Sequence, residues 1–150
     1  LALSTNRIKD YTAYLYDEDY GEHERKVGNT TIALSPGAAF NNRFAFRHRR
    51  FEASLTTQYV GRQYLDNLEM KENSLEAYCV SHLNVGYSFP LRGVKEASIS
   101  ATVYNLFNTK YETNGYSQTS IEKATGKLLS DPRFYPMAGT HLMFNLGLKF

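Results

Sequence analysis

The last eleven residues, Thr140-His-Leu-Met-Phe-Asn-Leu-Gly-Leu-Lys-Phe150, alternate with almost no error. Leu142, Phe144, Leu146, Leu148 and Phe150 fall on one face, and His141, Met143, Asn145, Gly147 and Lys149 on the other. A two-residue period belongs to a β-strand, whose successive side chains point to opposite sides. In a soluble protein, a final strand this apolar on one side would expose both a greasy face and an unpaired edge. A strand closing a membrane barrel exposes neither, because its outward residues lie in lipid and its backbone pairs on both sides.

Composition agrees with that reading. The chain has 12 Tyr and 9 Phe but no Trp, and its mean hydropathy is below zero although 42% of its residues are hydrophobic, which suits segments apolar on one side only. No run approaches the roughly 18 to 20 consecutive apolar residues of a spanning helix. The start, Leu1-Ala-Leu-Ser4, has no basic region followed by a hydrophobic stretch, so a secretory signal is expected upstream in a longer chain. The single Cys79 has no partner for a disulfide or a zinc knot, and a net charge of +2 is too small to imply a nucleic-acid partner.

Six strand-like segments are predicted. Leu1 to Tyr16 is the least regular, since Arg7 and Lys9 share the parity of Leu1, Leu3, Tyr11, Ala13 and Leu15, and a bulge near Asn6 would repair it. Thr30 to Phe46 sets Ile32, Leu34, Ala38, Phe40, Phe44 and Phe46 against Thr31, Ser35, Gly37, Asn41 and Arg43, with Pro36 an irregularity. Phe51 to Gly61 alternates cleanly; Tyr78 to Phe89 sets Cys79, Leu83, Val85, Tyr87 and Phe89 against His82, Asn84, Gly86 and Ser88; Ala97 to Lys110 sets Ala97, Ile99, Ala101 and Val103 against Ser98, Ser100, Thr102 and Tyr104; and the terminal strand is the sixth. Two connections are short, Arg47 to Arg50 and Pro90 to Glu96. The other three, Asp17 to Asn29, Arg62 to Ala77 and Tyr111 to Ala138, are long and polar. Antiparallel strands joined alternately by short and long loops place all short turns at one end, as in outer-membrane barrels. Phe44, Phe46, Phe51, Tyr87 and Phe89 lie near the short turns and Tyr59 near a long loop, resembling two interfacial girdles. In the last long loop, turn signals predict a small hairpin with Gly126 at its tip.

Candidate chemistry is sparse. Asp17-Glu-Asp19 with Glu22 and Glu24 has oxygen ligands for a hard cation but lacks the spacing and fixed glycine of a calcium loop, so it reads as a solvated acidic loop. His23, His48, His82 and His141 are scattered, and no serine motif stands near the two that point inward by parity, so an enzyme is not expected. Cys79 reads as a small wall residue and Arg47-His-Arg-Arg50 as a solvated turn able to touch lipid headgroups. Asn105-Leu-Phe-Asn108 breaks the alternation, and its asparagines are placed to bond backbone as the chain leaves the sheet. Tyr64, Tyr116 and Tyr135 could stack on a ligand, but tyrosine is too common here to assign them.

The residues also carry a family resemblance. Ile32-Ala-Leu-Ser-Pro36, then Gln58-Tyr-Val-Gly-Arg-Gln-Tyr-Leu-Asp-Asn67, then Val103-Tyr-Asn-Leu-Phe-Asn-Thr-Lys-Tyr111 with Asn114-Gly-Tyr116, and finally Phe134-Tyr-Pro136 before a strand ending in Phe150, resemble in order the C-terminal part of a TonB-dependent outer-membrane receptor. The second motif is similar to members from Bacteroidota. The resemblance implies an all-β fold, an antiparallel up-and-down meander of about six strands forming the end of a transmembrane β-barrel of about 22 strands. It implies that residues 1–150 belong to the barrel domain, with the plug and earlier strands outside them. The implied function is energised uptake of a scarce large ligand such as an iron chelate, haem or cobalamin, without a resident cofactor. Implied partners are outer-membrane lipid, the barrel assembly machinery, the TonB complex through N-terminal regions, and the ligand. The implied location is the outer membrane of a Gram-negative cell, with long loops extracellular and short turns periplasmic. Leu142, Phe144, Leu146, Leu148 and Phe150 then match the C-terminal assembly signal. A soluble β-rich binding or adhesive module, its apolar faces packed into a dry core, remains the alternative.

Overall fold

The computed structural model describes residues 1–150. The chain runs through β1 (Ala2–Leu3), a hairpin of β2 (Arg7–Tyr16) and β3 (Glu22–Thr31), β4 (Ala38–His48), β5 (Phe51–Val60), and a small pair, β6 (Gln63–Tyr64) and β7 (Ser74–Leu75). It continues through β8 (Tyr78–Phe89), β9 (Glu96–Tyr104), a second hairpin of β10 (Glu112–Ile121) and β11 (Leu128–Pro136), and β12 (His141–Lys149). A single 3₁₀ turn at Lys71–Asn73 is the only helical element.

Six strands form one antiparallel sheet in the order β1-β4-β5-β8-β9-β12, which is sequence order, so the sheet is a meander without crossovers. Its registers tie the clean alternations together. Phe44 lies opposite Leu55, Leu55 opposite Leu83, Leu83 opposite Val103, and Val103 opposite Leu142. The next rung, Phe46, Ala53, Val85, Ala101 and Phe144, repeats the pattern. Since directly paired residues share a face, every apolar parity read along the single strands falls on the same side of the sheet.

Three expectations are corrected. Leu1 to Tyr16 is two strands, of which only Ala2–Leu3 joins the sheet, pairing with Ala38 and Ala39. The chain departs at Asn6, whose amide donates to Ser4 Oγ (3.2 Å) and Ser35 Oγ (2.7 Å), and the rest pairs outside the sheet with β3. The Asp17 to Asn29 connection is therefore largely strand, and the sheet part of the second segment begins at Ala38 rather than Thr30. The fifth segment stops at Tyr104 rather than Lys110. The hairpin around Gly126 is present: Leu128–Pro136 pairs back on Glu112–Ile121, and Gly126, at φ +69°, donates its N–H to Glu122 O (2.7 Å).

Apart from the small Gly86 and Ala97, closed in by their neighbours within β8 and β9, the buried residues do not lie on the body of the sheet. Ala13, Leu15, Thr30, Asn73, Ser74 and Leu75 are buried among the segments that leave its long-loop end, and Val60, Val80, Ser81 and Asn105 at the margin below them. The molecule is thus a bare sheet with a packed cap at one end. At the other end, Arg49 and Arg50 turn β4 into β5 in two residues, with Arg49 at φ +53°, a region that costs a non-glycine residue about 1–2 kcal/mol.

Candidate functional site

The apolar face is the largest feature on the molecule. Phe144 is 71% exposed, Leu146 69% and Phe44 67%, and Phe46, Ile99, Leu142 and Leu148 are likewise open. Burying one such side chain is worth about 1.5–3 kcal/mol, so a contiguous face of them is a site for an apolar medium or partner. Near its long-loop margin, two hydroxyls fall on this face, and Thr57 Oγ1 and Ser81 Oγ satisfy each other at 2.9 Å. Of the predicted assembly residues, Leu142, Phe144, Leu146 and Leu148 lie on this one face, opposite Val103, Ala101, Ile99 and Ala97. Phe150 follows the last paired residue, Lys149, and is exposed. Cys79, opposite Tyr59, also shares the face.

The opposite face is polar and largely flat. Asn84 Nδ2 donates to Thr102 Oγ1 (2.8 Å), Arg47 pairs with Glu52 (3.2 Å), and Gly86, Ser98, Ser100 and Gly147 keep its middle low. Toward the long-loop end, Tyr104 stacks on His141 (centroids 4.9 Å, 12°) and meets the edge of His82 (5.4 Å, 62°). His82 Nδ1 accepts the Asn105 N–H at 3.1 Å, which fixes that ring on the polar face of the sheet. The two histidines that share inward parity are therefore brought together through a tyrosine, an arrangement their separation in sequence conceals.

Asn105-Leu-Phe-Asn108 forms the hinge between sheet and cap. Both asparagines adopt positive φ, +49° and +54°, which this residue type tolerates better than most. The buried Asn105 amide donates to Thr109 O (2.9 Å) and Ala138 O (3.1 Å) and accepts the Thr109 N–H (2.8 Å). Thr140 Oγ1 donates to Asn105 O (2.6 Å), so the motif ties β9 to the start of β12. Of its adjacent apolar pair, Phe107 is exposed and Leu106 half-buried, its N–H bonded to Ser81 O (2.8 Å).

The cap is held by polar side chains. Asn73 donates to Asp66 Oδ2 (2.6 Å) and Thr119 Oγ1 (3.1 Å) and accepts from Ser130 Oγ, joining the β6–β7 segment to both strands of the second hairpin. Asn67 accepts the Ala33 N–H through its side chain (2.7 Å) and the Thr30 hydroxyl through its carbonyl (2.7 Å). Glu69 accepts from Thr31 Oγ1 and from the Thr31 N–H (2.6 Å); the hydroxyl bond above all, then the backbone bond and Arg7, hold its carboxyl below the ordinary value of 4.5. Lys123 on the second hairpin reaches Asp19 on the first (2.8 Å).

The acidic tip is not an open set of oxygen ligands. Asp17 is buried, accepting from His23 Nε2 (2.8 Å) and from the Gly21 (2.7 Å) and Asp19 (2.9 Å) N–H groups. The His23 hydrogen bond, followed by that of Gly21, holds its carboxyl below the ordinary value of 3.8. A Cβ at Gly21 would meet Asp17 Oδ2 at 2.7 Å, so any larger residue there would displace the carboxylate from its hydrogen bonds. Among the proposed stacking residues, Tyr116 and Tyr135 approach each other (6.3 Å) across the second hairpin, whereas Tyr64 stands apart on β6. No sequence signal marks Asn73 or the Asp17–His23 pair, since both depend on contacts that only the folded loops create.

The fold and its faces define a class: an antiparallel meander with one side apolar and open, the other polar, and a packed cap at one end. Comparison with protein-family models, curated proteins and solved structures found no match.

Proposed function

We propose that this chain is a wall segment of a transmembrane β-barrel, the C-terminal part of an outer-membrane receptor of the TonB-dependent type that takes up a scarce large ligand of the iron chelate, haem or cobalamin class. One observation carries the membrane part of the reading: the apolar face is continuous across the five long strands, and its large side chains, Phe44, Phe46, Ile99, Leu142, Phe144, Leu146 and Leu148, stand open. Each of these strands has nine to twelve residues, close to the ~9 to 11 needed to cross a bilayer. Lipid satisfies the apolar face, further strands satisfy the outer edge of β12 and that of β4 beyond its short pairing with β1, and the polar face lines the lumen. A six-stranded sheet cannot itself close around a plug, so barrel closure requires strands beyond these.

The uptake part of the reading rests on the ordered motifs, of which Asn105-Leu-Phe-Asn108 supplies the structural hinge described above. In this arrangement the cap is extracellular, where its loops meet the ligand, and the Arg49–Arg50 turn is periplasmic. The test uses the full-length protein in its native cell. It should fractionate with the outer membrane and migrate differently in gels before and after boiling, and its loss should impair growth on a limiting iron or vitamin source. A protein recovered in the aqueous phase, with a single migration, would refute the membrane reading. Outer-membrane location with normal growth on every scarce source would refute uptake.

A further inference from the structure

The apolar face ends in cations. At the short-turn end, a cleft of about 400 Å³ is lined by His48, Arg49, Arg50, Phe51 and Tyr87. His48 pairs with Phe51, and Phe51 with Tyr87, so this imidazole and both rings share the apolar side of the sheet. The neighbouring Arg47 is engaged by Glu52. Arg49 and Arg50 have no carboxylate partner, and both are exposed.

Charge is also divided along the molecule. Arg47, Arg49, Arg50, Arg92, Lys95 and Lys149 gather at the short-turn end beside only Glu52 and Glu96, while the other 13 carboxylates lie at the cap end with ten cations, and Arg43 stands between them in mid-strand. A net charge of +2 for the chain conceals an end carrying four excess positive charges.

We infer that the Arg49–Arg50 turn, with His48, Phe51 and Tyr87, binds the phosphate headgroup of an anionic phospholipid. The guanidinium groups present several N–H donors to phosphate oxygens, and Arg suits this role because its planar fork is matched to that geometry. The acyl chains continue along Phe46, Phe51, Tyr87 and Ile99, on the face already open to an apolar medium. A free phosphate uses only the cations, and a zwitterionic phospholipid, whose phosphate is offset by a cation of its own, brings them no net charge; an anionic phospholipid uses both the cations and the face. The turn itself points the same way, because Arg49 occupies a positive φ at which glycine would be unstrained.

This inference rests on the membrane reading, and the experiment separates the two. The full-length protein is extracted in neutral detergent, and retention of phosphatidylglycerol and of phosphatidylcholine is compared by native mass spectrometry, for the wild type and for R49G, R50Q and the double variant. Each arginine near an anionic surface contributes a factor of about five, corresponding to about 1 kcal/mol. Preference for phosphatidylglycerol should therefore fall about five-fold in each single variant and about thirty-fold in the double one. R49G should melt no lower than the wild type, because the turn gains a glycine at positive φ, so lost lipid preference with kept stability identifies binding rather than folding. Equal retention of the two lipids, or a preference unchanged in the double variant, overturns the headgroup site while leaving the membrane reading intact. Displacement of phosphatidylglycerol by glycerol phosphate at equal concentration shows a site for small phosphates and also overturns it. A chain that stays in the aqueous phase and takes neither lipid overturns both readings.

Discussion

Asn73 shows how much of this molecule depends on single polar side chains. It has no solvent exposure, and its amide joins Asp66, Thr119 and Ser130, so an Asn73→Ala change leaves the Ser130 hydroxyl without its acceptor and the Asp66 carboxylate short of a donor. An unsatisfied buried group costs about 1–3 kcal/mol, so the cap should loosen by that order. Hydrogen exchange should speed up in Glu112–Ile121 and Leu128–Pro136 while Ala38–His48 and Phe51–Val60 keep their protection; uniform loss across the sheet would contradict a cap that opens by itself. Asp17 and Glu69 give the same region an acid dependence. Both carboxyls titrate below their ordinary values of 3.8 and 4.5, so near those values the unfolded state binds more protons than the folded one. Their contribution is therefore complete above about pH 5 and is lost as pH falls through the lowered folded values. Protease cleavage of the first hairpin should rise on acidification through that window, and Asp17→Asn should flatten the rise. An acid response unchanged in Asp17→Asn would show that other groups control it.

At the scale of the elements, what could be read in advance followed the period of two. In β9 and β12 the alternation is unbroken, in β5 and β8 it is interrupted only near the cap by Thr57 and Ser81, and the registers place the predicted faces together, Leu142, Phe144, Leu146 and Leu148 among them. In β2 and β3 it fails, because register shifts at Ile8, Tyr11 and Thr12, with Asp10 at φ +52° and Gly28 at φ +81°, change the phase partway along. A hairpin of that kind offers no constant face, so Arg7–Tyr16 is legible only as an irregular strand and its partner as a loop. The second hairpin is legible because its tip carries a glycine, Gly126 at φ +69°, at a turn signal. For β12 the facing makes a quantitative claim. Leu146 lies opposite Ile99 and Asn145 opposite Ser100, on opposite sides of the sheet. In the proposed barrel, Leu146→Arg should destabilise the protein in lipid vesicles by roughly 2 to 4 kcal/mol, and Asn145→Arg only slightly. Equal losses in denaturant unfolding would mean that the two faces meet similar surroundings.

The whole molecule is organised along one axis, with a packed cap at one end, cations at the other, and between them a sheet open on both edges. Its last residue sits at the cationic end, past the final pair of Lys149 with Glu96. In the proposed setting this makes Phe150 a boundary residue, and its ring is exposed rather than packed on a neighbour. Full burial of such a ring is worth about 1.5–3 kcal/mol, and partial burial less, so its removal subtracts little from a large barrel. Its position matters more during assembly. In the proposed setting an alternating strand with a free outer edge can add to another sheet by main-chain pairing, and Phe150, continuing the alternation past Lys149, extends the apolar side that must enter lipid. The lumen-facing side chains and the cap remain untouched by its loss, so nothing that the transported ligand meets should change. Deleting Phe150 from the full-length protein should accordingly lower the amount in the outer membrane and leave uptake per surviving receptor unaltered. Quantifying receptor abundance beside ligand uptake decides the matter, since normal abundance with failed uptake would assign Phe150 to transport and not to insertion.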